Sequence, residues 1–284
     1  MNGFVFVDKS EGFTSTSVGN RLKSVFHTKK IGHVGTLDPF ATGLLILGVD
    51  KGTKAITFFD DFTKEYVATI KLGVATDSMD LTGKEIARKA VPSLSIDKVN
   101  DVLNSFLGKS KQLPPMTSAI HVDGQKLYKL AHQGKEVDRP LRDIEILEIE
   151  LLELKGDELT FRTVVSKGTY IRVLGSDIAN KLGTVGHLIK LRRSKVGPFD
   201  VKDASKIEDI SDESLKSTYD VLKEFSEVVS VDEETANNIK NGRVKYFNDK
   251  HSSNRLLIVD SSCNVIAMYV KNLEGKYQFA RGLF

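Results

Sequence analysis

One cysteine, Cys263, is all that the 284 residues contain, and tryptophan is absent. A lone thiol excludes an intrachain disulfide and a cysteine-built zinc site, and it suits a reducing compartment. No apolar run approaches the roughly 20 residues of a membrane-spanning helix. The opening residues, MNGFVFVDKSEGF, also lack a basic stretch followed by a long apolar one, so no leader is expected. Neither sign of charge dominates: 41 Lys and Arg stand against 38 Asp and Glu, a formal net charge of +3. An anionic partner must therefore be met by local basic patches rather than by an overall positive surface. With no internal repeat and no low-complexity tract, the chain reads as a soluble cytoplasmic protein, long enough for one large domain and one small one.

What the chain does have is a dense motif from Lys29 to Asp50, KKIGHVGTLDPFATGLLILGVD. Gly32, Gly35, Gly43 and Gly48 permit tight turns and close backbone approach, and Pro39 steers Asp38 toward an extended or turn conformation. Leu44 to Val49, bounded by glycines, has the length and β-branched content of a buried strand. One carboxylate is thus presented on a stiff loop anchored in the core. The bland reading is a turn aspartate that accepts backbone hydrogen bonds.

Around this motif the periodicity predicts a strand over Gly3–Val7 and a helix over Ser17–Phe26, whose exit carries Lys29 and Lys30. A strand over Glu65–Leu72 has Tyr66, Ala68, Ile70 and Leu72 on one face. An amphipathic helix is expected over Ser95–Leu107, with Ser95 as N-cap and Gly108 as its stop. Asp123-Gly124 signals a turn, and Gln125–Gln133 a short helix in a basic, aromatic stretch. Asp143–Val165 reads as a hairpin around Gly156-Asp157, with a bulge near Ile146-Leu147 and an acidic outer face that should repel phosphates. After SKGTYIR comes a helix placing Leu174, Ile178 and Leu182 together, then the basic strand HLIKLRRSKVGPF, in which Lys190, Arg192, Arg193 and Lys195 form the densest positive patch. Between Asp203 and Glu227 the composition turns polar and acidic, which places a domain boundary there. A helix over Asp232–Asn241 and four short strands follow.

The string Gly32, His33, Gly35, Leu37, Asp38, Pro39, Ala41, Thr42 and Gly43, followed by an apolar strand, resembles the signature of the tRNA pseudouridine synthase B family. KEYVATIKLG, SKGTYIR and HLIKLRR match further motifs of that family in the same order. The resemblance implies an α+β fold, with a mixed, largely antiparallel central sheet flanked by helices. Residues 1–225 would form the catalytic domain. Residues 226–284 would form a small β-barrel resembling the PUA-type RNA-binding domain. The implied activity is isomerisation of the uridine at position 55 in the T-loop of tRNA, by a monomer without guide RNA, obligate protein partner, membrane or cofactor. Asp38 would be the essential acidic residue, attacking the sugar or acting by abstraction elsewhere; Tyr66 would stack on the uracil and is the candidate for C5 deprotonation, and Arg172 would orient Asp38. His33 would fill the space vacated by the flipped base, Leu191 would lie beneath that base, and Tyr170 would contact the RNA. Lys30, Arg192, Arg193 and Lys195 are the expected phosphate contacts.

The chemistry is consistent with that residue set. Isomerisation breaks the bond from ribose to ring nitrogen, turns the uracil and forms a carbon-carbon bond, so no redox group is required. It needs a nucleophile or electrostatic stabiliser, a clamp for the base and a group that removes the C5 proton. No His-x-x-x-His or His/Cys pair at ligand spacing lies near Asp38, which argues against a zinc-activated water. Two other classes remain open. Gly32-His-Val-Gly35 satisfies the GXXG pattern of KH modules, which would make the protein a noncatalytic RNA binder. A hydrolase using Asp38 would release free uracil, but a second carboxylate motif is missing.

Overall fold

The structure is a computed structural model that describes residues 2–116, 118, 121–122, 125–126, 137–247 and 251–284. Two compact units are present: residues 1–39, 43–60 and 198–284 form one, and residues 40–42 and 61–197 the other.

The first unit begins with β1 (Gly3–Lys9), α1 (Ser15–Val25), β2 (Ile31–His33) and β3 (Thr42–Val49), followed by 3-10 turns over Asp50–Phe59. β1 runs antiparallel to β3 in unbroken register from Gly3↔Val49 to Lys9↔Gly43. Both strands are apolar along their length because Phe4 to Val7 and Leu44 to Leu47 are all buried. Burial of each such side chain contributes about 1.5–3 kcal/mol. α1 starts where Thr14 accepts a hydrogen bond from the Ser17 amide (2.9 Å), a side-chain cap of the kind the first turn requires. It buries Val18 and Leu22.

The second unit contains β4 (Lys64–Leu72), β5 (Val74–Thr76), β6 (Glu85–Arg88), α2 (Ile96–Asn104) and β7 (Gly108–Gln112). Two short strands, β8 (His121–Val122) and β9 (Gln125–Lys126), pair with each other; most of the expected helix over 125–133 lies outside the described residues. β10 (Arg142–Lys155), β11 (Glu158–Val165), α3 (Ile171–Lys181) and β12 (Gly186–Val196) complete it. The strands lie in the order β12-β4-β11-β10-β7, all antiparallel, and α3 packs on β12 and β4. The expected hairpin and its bulge after Ile146 are present, with a second bulge after Leu151. α2 ends at Asn104, short of the expected Leu107. The amides of Phe106 and Leu107 bond back three residues, to Leu103 and Asn104, so the last turn tightens and unwinds. Gly108 then opens β7 with a φ of 92°.

After β12 the chain returns to the first unit with β13 (Phe199–Asp200), β14 (Ser205–Lys206), β15 (Lys216–Ser217) and the short helix α4 (Thr218–Leu222). The polar stretch where composition placed a boundary holds β14 parallel and β15 antiparallel to β1. Its sparse apolar residues Ile207, Ile210, Val221 and Leu222 are buried. Next come β16 (Glu227–Ser230), α5 (Glu233–Lys240), β17 (Tyr246–Phe247), β18 (Arg255–Val259), β19 (Val265–Lys271) and β20 (Tyr277–Gly282). These strands form a curled five-stranded sheet in the order β16-β18-β19-β20-β17. Its core joins Ala236 and Ile239 of α5 to Leu256, Ile258, Ile266, Tyr269 and Tyr277. The chain is thus α+β, with mixed, largely antiparallel sheets.

Candidate active site

Asp38 sits between β2 and β3 on a segment whose main chain is fixed on both sides of it. Before it, the Ser15 hydroxyl accepts from the Leu37 amide (2.9 Å) and lies 3.2 Å from the Leu37 carbonyl, to which it donates. After it, the Pro39 carbonyl accepts from the Gly12 amide (2.9 Å) and from Lys9 Nζ (3.2 Å). Lys9 is 1% exposed and donates further to the carbonyls of Ser10 (3.0 Å) and Phe13 (2.8 Å). A buried ammonium is tolerated only when carbonyls or carboxylates surround it, and here it ties the β1 exit to the Asp38 loop. Gly35 and Gly43 hold φ values of 59° and 101°, torsions that side chains with a Cβ rarely adopt. Asp38 is half-buried, as is His33, which stands on β2 opposite Leu47. Lys30 is exposed.

In the other unit, half-buried Tyr66 stands near the start of β4, directly opposite Thr163 of β11 and Arg193 of β12. Leu191 faces Ala68 two residues further along. Directly opposed residues point to the same side of a sheet, so Tyr66, Arg193, Ala68 and Leu191 share a face. Arg193 is 1% exposed. It therefore does not belong to a solvent-facing basic patch as the run of charges suggested. Lys195 and Lys190 remain exposed and Arg192 partly so.

Arg172 lies in the first turn of α3. Its Nη1 donates to the Ser78 carbonyl (3.0 Å) and lies 3.6 Å from Asp80 Oδ2. Asp80 in turn accepts from the Ser78 hydroxyl (2.7 Å) and the Thr82 amide (2.9 Å). Just before α3, the Tyr170 main chain is held by Gln112: the Tyr170 amide donates to Oε1 (2.7 Å), and Nε2 donates to the Tyr170 carbonyl (3.1 Å). Tyr170 itself is half-buried.

Sequence reasoning passed over Asp80 and Lys9. A signal existed for each. DSMDLTG has the Asp, Ser, Thr and Gly spacing of a loop closed on its own carboxylate, and Lys9 ends a strand that is apolar on both faces. Among the described residues, no group of three or more His, Cys, Asp or Glu is assembled for a metal ion, and no helix is long and apolar enough to cross a membrane.

A carboxylate on a pinned loop, a tyrosine at a strand end and a buried arginine on a helix are the side chains that family motifs mark. Residues 23–171 match the family model described as TruB family pseudouridylate synthase, N-terminal domain. Residues 172–230 match that of the tRNA pseudouridylate synthase B C-terminal domain. The chain belongs to the TruB family of pseudouridylate synthases. It is 45% identical over 217 residues to tRNA pseudouridine synthase B of Francisella philomiragia, covering 76% of this chain and 72% of that protein. Identity is also 45%, over 209 residues, to tRNA pseudouridine synthase B of Geotalea uraniireducens, covering 74% and 67%. Among solved structures, the fold is similar to a chain in the crystal structure of a Cbf5-Nop10-Gar1 complex, with a TM-score of 0.75 and 22% identity over 99% of this chain and 85% of that one. A chain in an H/ACA RNP bound to a substrate RNA containing 2'-deoxyuridine gives a TM-score of 0.73 at 20% identity, covering 99% and 85%. At these identities the two likenesses concern the fold.

Proposed function

We propose that this pseudouridine synthase isomerises the uridine at position 55 in the T-loop of tRNA, as a cytoplasmic monomer that needs no guide RNA, cofactor or obligate protein partner. The observation that carries this reading is Asp38, fixed through the main chain on both sides by Lys9, Gly12 and Ser15 within the family motif. A carboxylate that attacks or stabilises a sugar carbon needs such a fixed approach, because misplacement by about 1 Å can cost on the order of 100-fold in rate.

In this reading Asp38 meets the ribose as the bond to N1 breaks. Tyr66 stacks on the freed uracil and takes the C5 proton after the base has turned, with Leu191 beneath the ring. Arg172, buried and held by Asp80, directs the Asp38 carboxylate. The uridine must first leave its stack, at a cost of a few kcal/mol, which His33 offsets by occupying the gap. Tyr170, Lys30, Arg192 and Lys195 contact the RNA. Residues 1–225 carry the chemistry, and residues 226–284, with the five-stranded sheet, form a PUA-like RNA-binding domain.

The test is to incubate the protein with an unmodified tRNA transcript and map pseudouridine. The wild type should yield it at position 55 alone, and Asp38→Asn should yield none while binding the transcript within a few-fold of wild-type affinity. Absence of pseudouridine with the wild type, or release of free uracil from the tRNA in its place, overturns the proposal.

A further inference from the structure

β12 meets β4 in three phases. Gly186 to Leu188 pair with Leu72 to Ile70, Lys190 to Arg193 with Thr69 to Tyr66, and Lys195 to Val196 with Glu65 to Lys64. Ile189 and Ser194 are the extra residues at the two shifts. A one-residue shift moves every following side chain to the opposite face. Were Lys195 still opposite Glu65 but Ser194 not bulged, Ser194 would oppose Tyr66 and Arg192 would oppose Ala68. Leu191 and Arg193 would then point away from Tyr66. The bulge at Ser194 is what delivers both to the Tyr66 face.

The groups that hold this bulge are on the other face. Ser194 Oγ donates to Glu65 Oε1 (2.7 Å) and approaches the Glu65 carbonyl at 3.3 Å. Glu65 Oε2 accepts Nε (3.0 Å) and Nη2 (2.7 Å) of Arg162 on β11. Arg162 Nη2 also donates to Glu148 of β10 (2.8 Å), and Lys195 Nζ lies 3.8 Å from Glu65 Oε2. One buried carboxylate therefore links both neighbours of β4 at the end that bears Tyr66. Burial pulls the Glu65 pKa upward, yet the hydrogen bonds from Ser194 and Arg162, with the charges of Arg162 and Lys195, leave it below the ordinary value.

We propose that Glu65 is a positioning residue whose carboxylate fixes the Ser194 bulge and thereby keeps Leu191 and Arg193 on the face of β4 that carries Tyr66. The consequence for catalysis rests on the reading of that face as the uracil pocket. The test compares Ser194→Ala, Ser194→Thr and Glu65→Gln with the wild type by amide hydrogen exchange and by steady-state kinetics on tRNA. Ser194→Ala and Glu65→Gln should speed exchange at residues 189–195 while leaving the β7–β10 ladder unchanged. Their kcat should fall about tenfold, the scale expected of a sub-ångström misplacement, with KM within twofold and the melting temperature within a few degrees. Ser194→Thr, which keeps the hydroxyl, should restore both readouts. Unchanged exchange in Ser194→Ala and Glu65→Gln would overturn the bulge assignment. Faster exchange with unchanged kcat would overturn its catalytic consequence. Failure of the wild type to form pseudouridine would sink the functional reading instead, leaving the exchange data to decide the bulge.

Discussion

Arg172 and Asp80 form a buried ion pair, 3.6 Å apart, with side chains only 4% and 6% exposed. Removing one member of such a pair costs about 3–5 kcal/mol, and the Arg172 bond to the Ser78 carbonyl, which remains, puts the cost here at the lower end. Asp80→Ala should therefore lower the urea midpoint by an amount equivalent to about 3 kcal/mol and reduce pseudouridine formation. Asp80→Asn keeps an oxygen to accept from Ser78 and Thr82 and should lose less stability. A midpoint for Asp80→Ala within about 0.5 kcal/mol of the wild type, the range of ordinary surface changes, would show that the pair contributes nothing.

Lys9→Met tests the buried ammonium under the Asp38 loop. The substitution retains an unbranched chain but removes the donors to Ser10, Phe13 and Pro39. Each buried carbonyl left without a partner costs about 1–3 kcal/mol; Pro39 keeps the Gly12 amide and Ser10 is exposed to water, so about 1–3 kcal/mol in total, from Phe13, is expected. The change should appear as a lower melting temperature and as faster proteolysis within residues 10–14. Wild-type thermal stability in Lys9→Met would show that water replaces the ammonium without penalty.

Much of this was legible because it depends on local pattern. The Ser95-capped helix, the helix that begins after Asp232, the Gly156 hairpin and the alternation of Tyr66, Ala68, Ile70 and Leu72 follow from residues close in sequence. Leu191 and Arg193 show where local pattern fails. In HLIKLRRSKV the positive charges read as one patch, but two bulges reverse the phase of residues 190–193, and Arg193 is buried. Bulges are set by partners on other strands, here Glu65, which lies 129 positions from Ser194. Within the polar stretch 203–227, the pairing of Ser205–Lys206 and Lys216–Ser217 with β1, at the other end of the chain, was likewise invisible to composition. Asp80 could be suspected from its loop, but its buried partner lies on a distant helix.

Acid should weaken the C-terminal sheet through Glu227. Its pKa is lowered to about 2, first by the hydrogen bond with His251 (2.7 Å), then by the Ser253 and Ser252 amides. A carboxyl whose folded pKa lies below its unfolded value contributes stability that is full above the unfolded value, 4.5, and is lost as pH falls toward 2. Thermal melts from pH 5.5 to 2.5 should therefore decline less steeply in Glu227→Gln than in the wild type, with the variant less stable at pH 5.5. Parallel curves would show that Glu227 titrates alike in both states.

The burial of Arg193 separates two kinds of basic residue in the run before and after it. Lys30 and Lys195 are exposed, so each is able to displace a counterion from an RNA phosphate. Removing one such contact lowers the slope of log affinity against log salt by nearly one. Arg193 is enclosed opposite Tyr66, where it should hold no counterion for RNA to displace. Lys30→Ala and Lys195→Ala should flatten the salt dependence of binding to a T-arm stem-loop by about one unit or slightly less. Arg193→Gln should leave that slope unchanged, and should lower stability and kcat because it removes a buried charge from the Tyr66 face. Filter binding of the three variants between about 50 and 200 mM salt measures the difference. A flattened slope for Arg193→Gln with no loss of stability would mean that Arg193 turns outward to meet RNA.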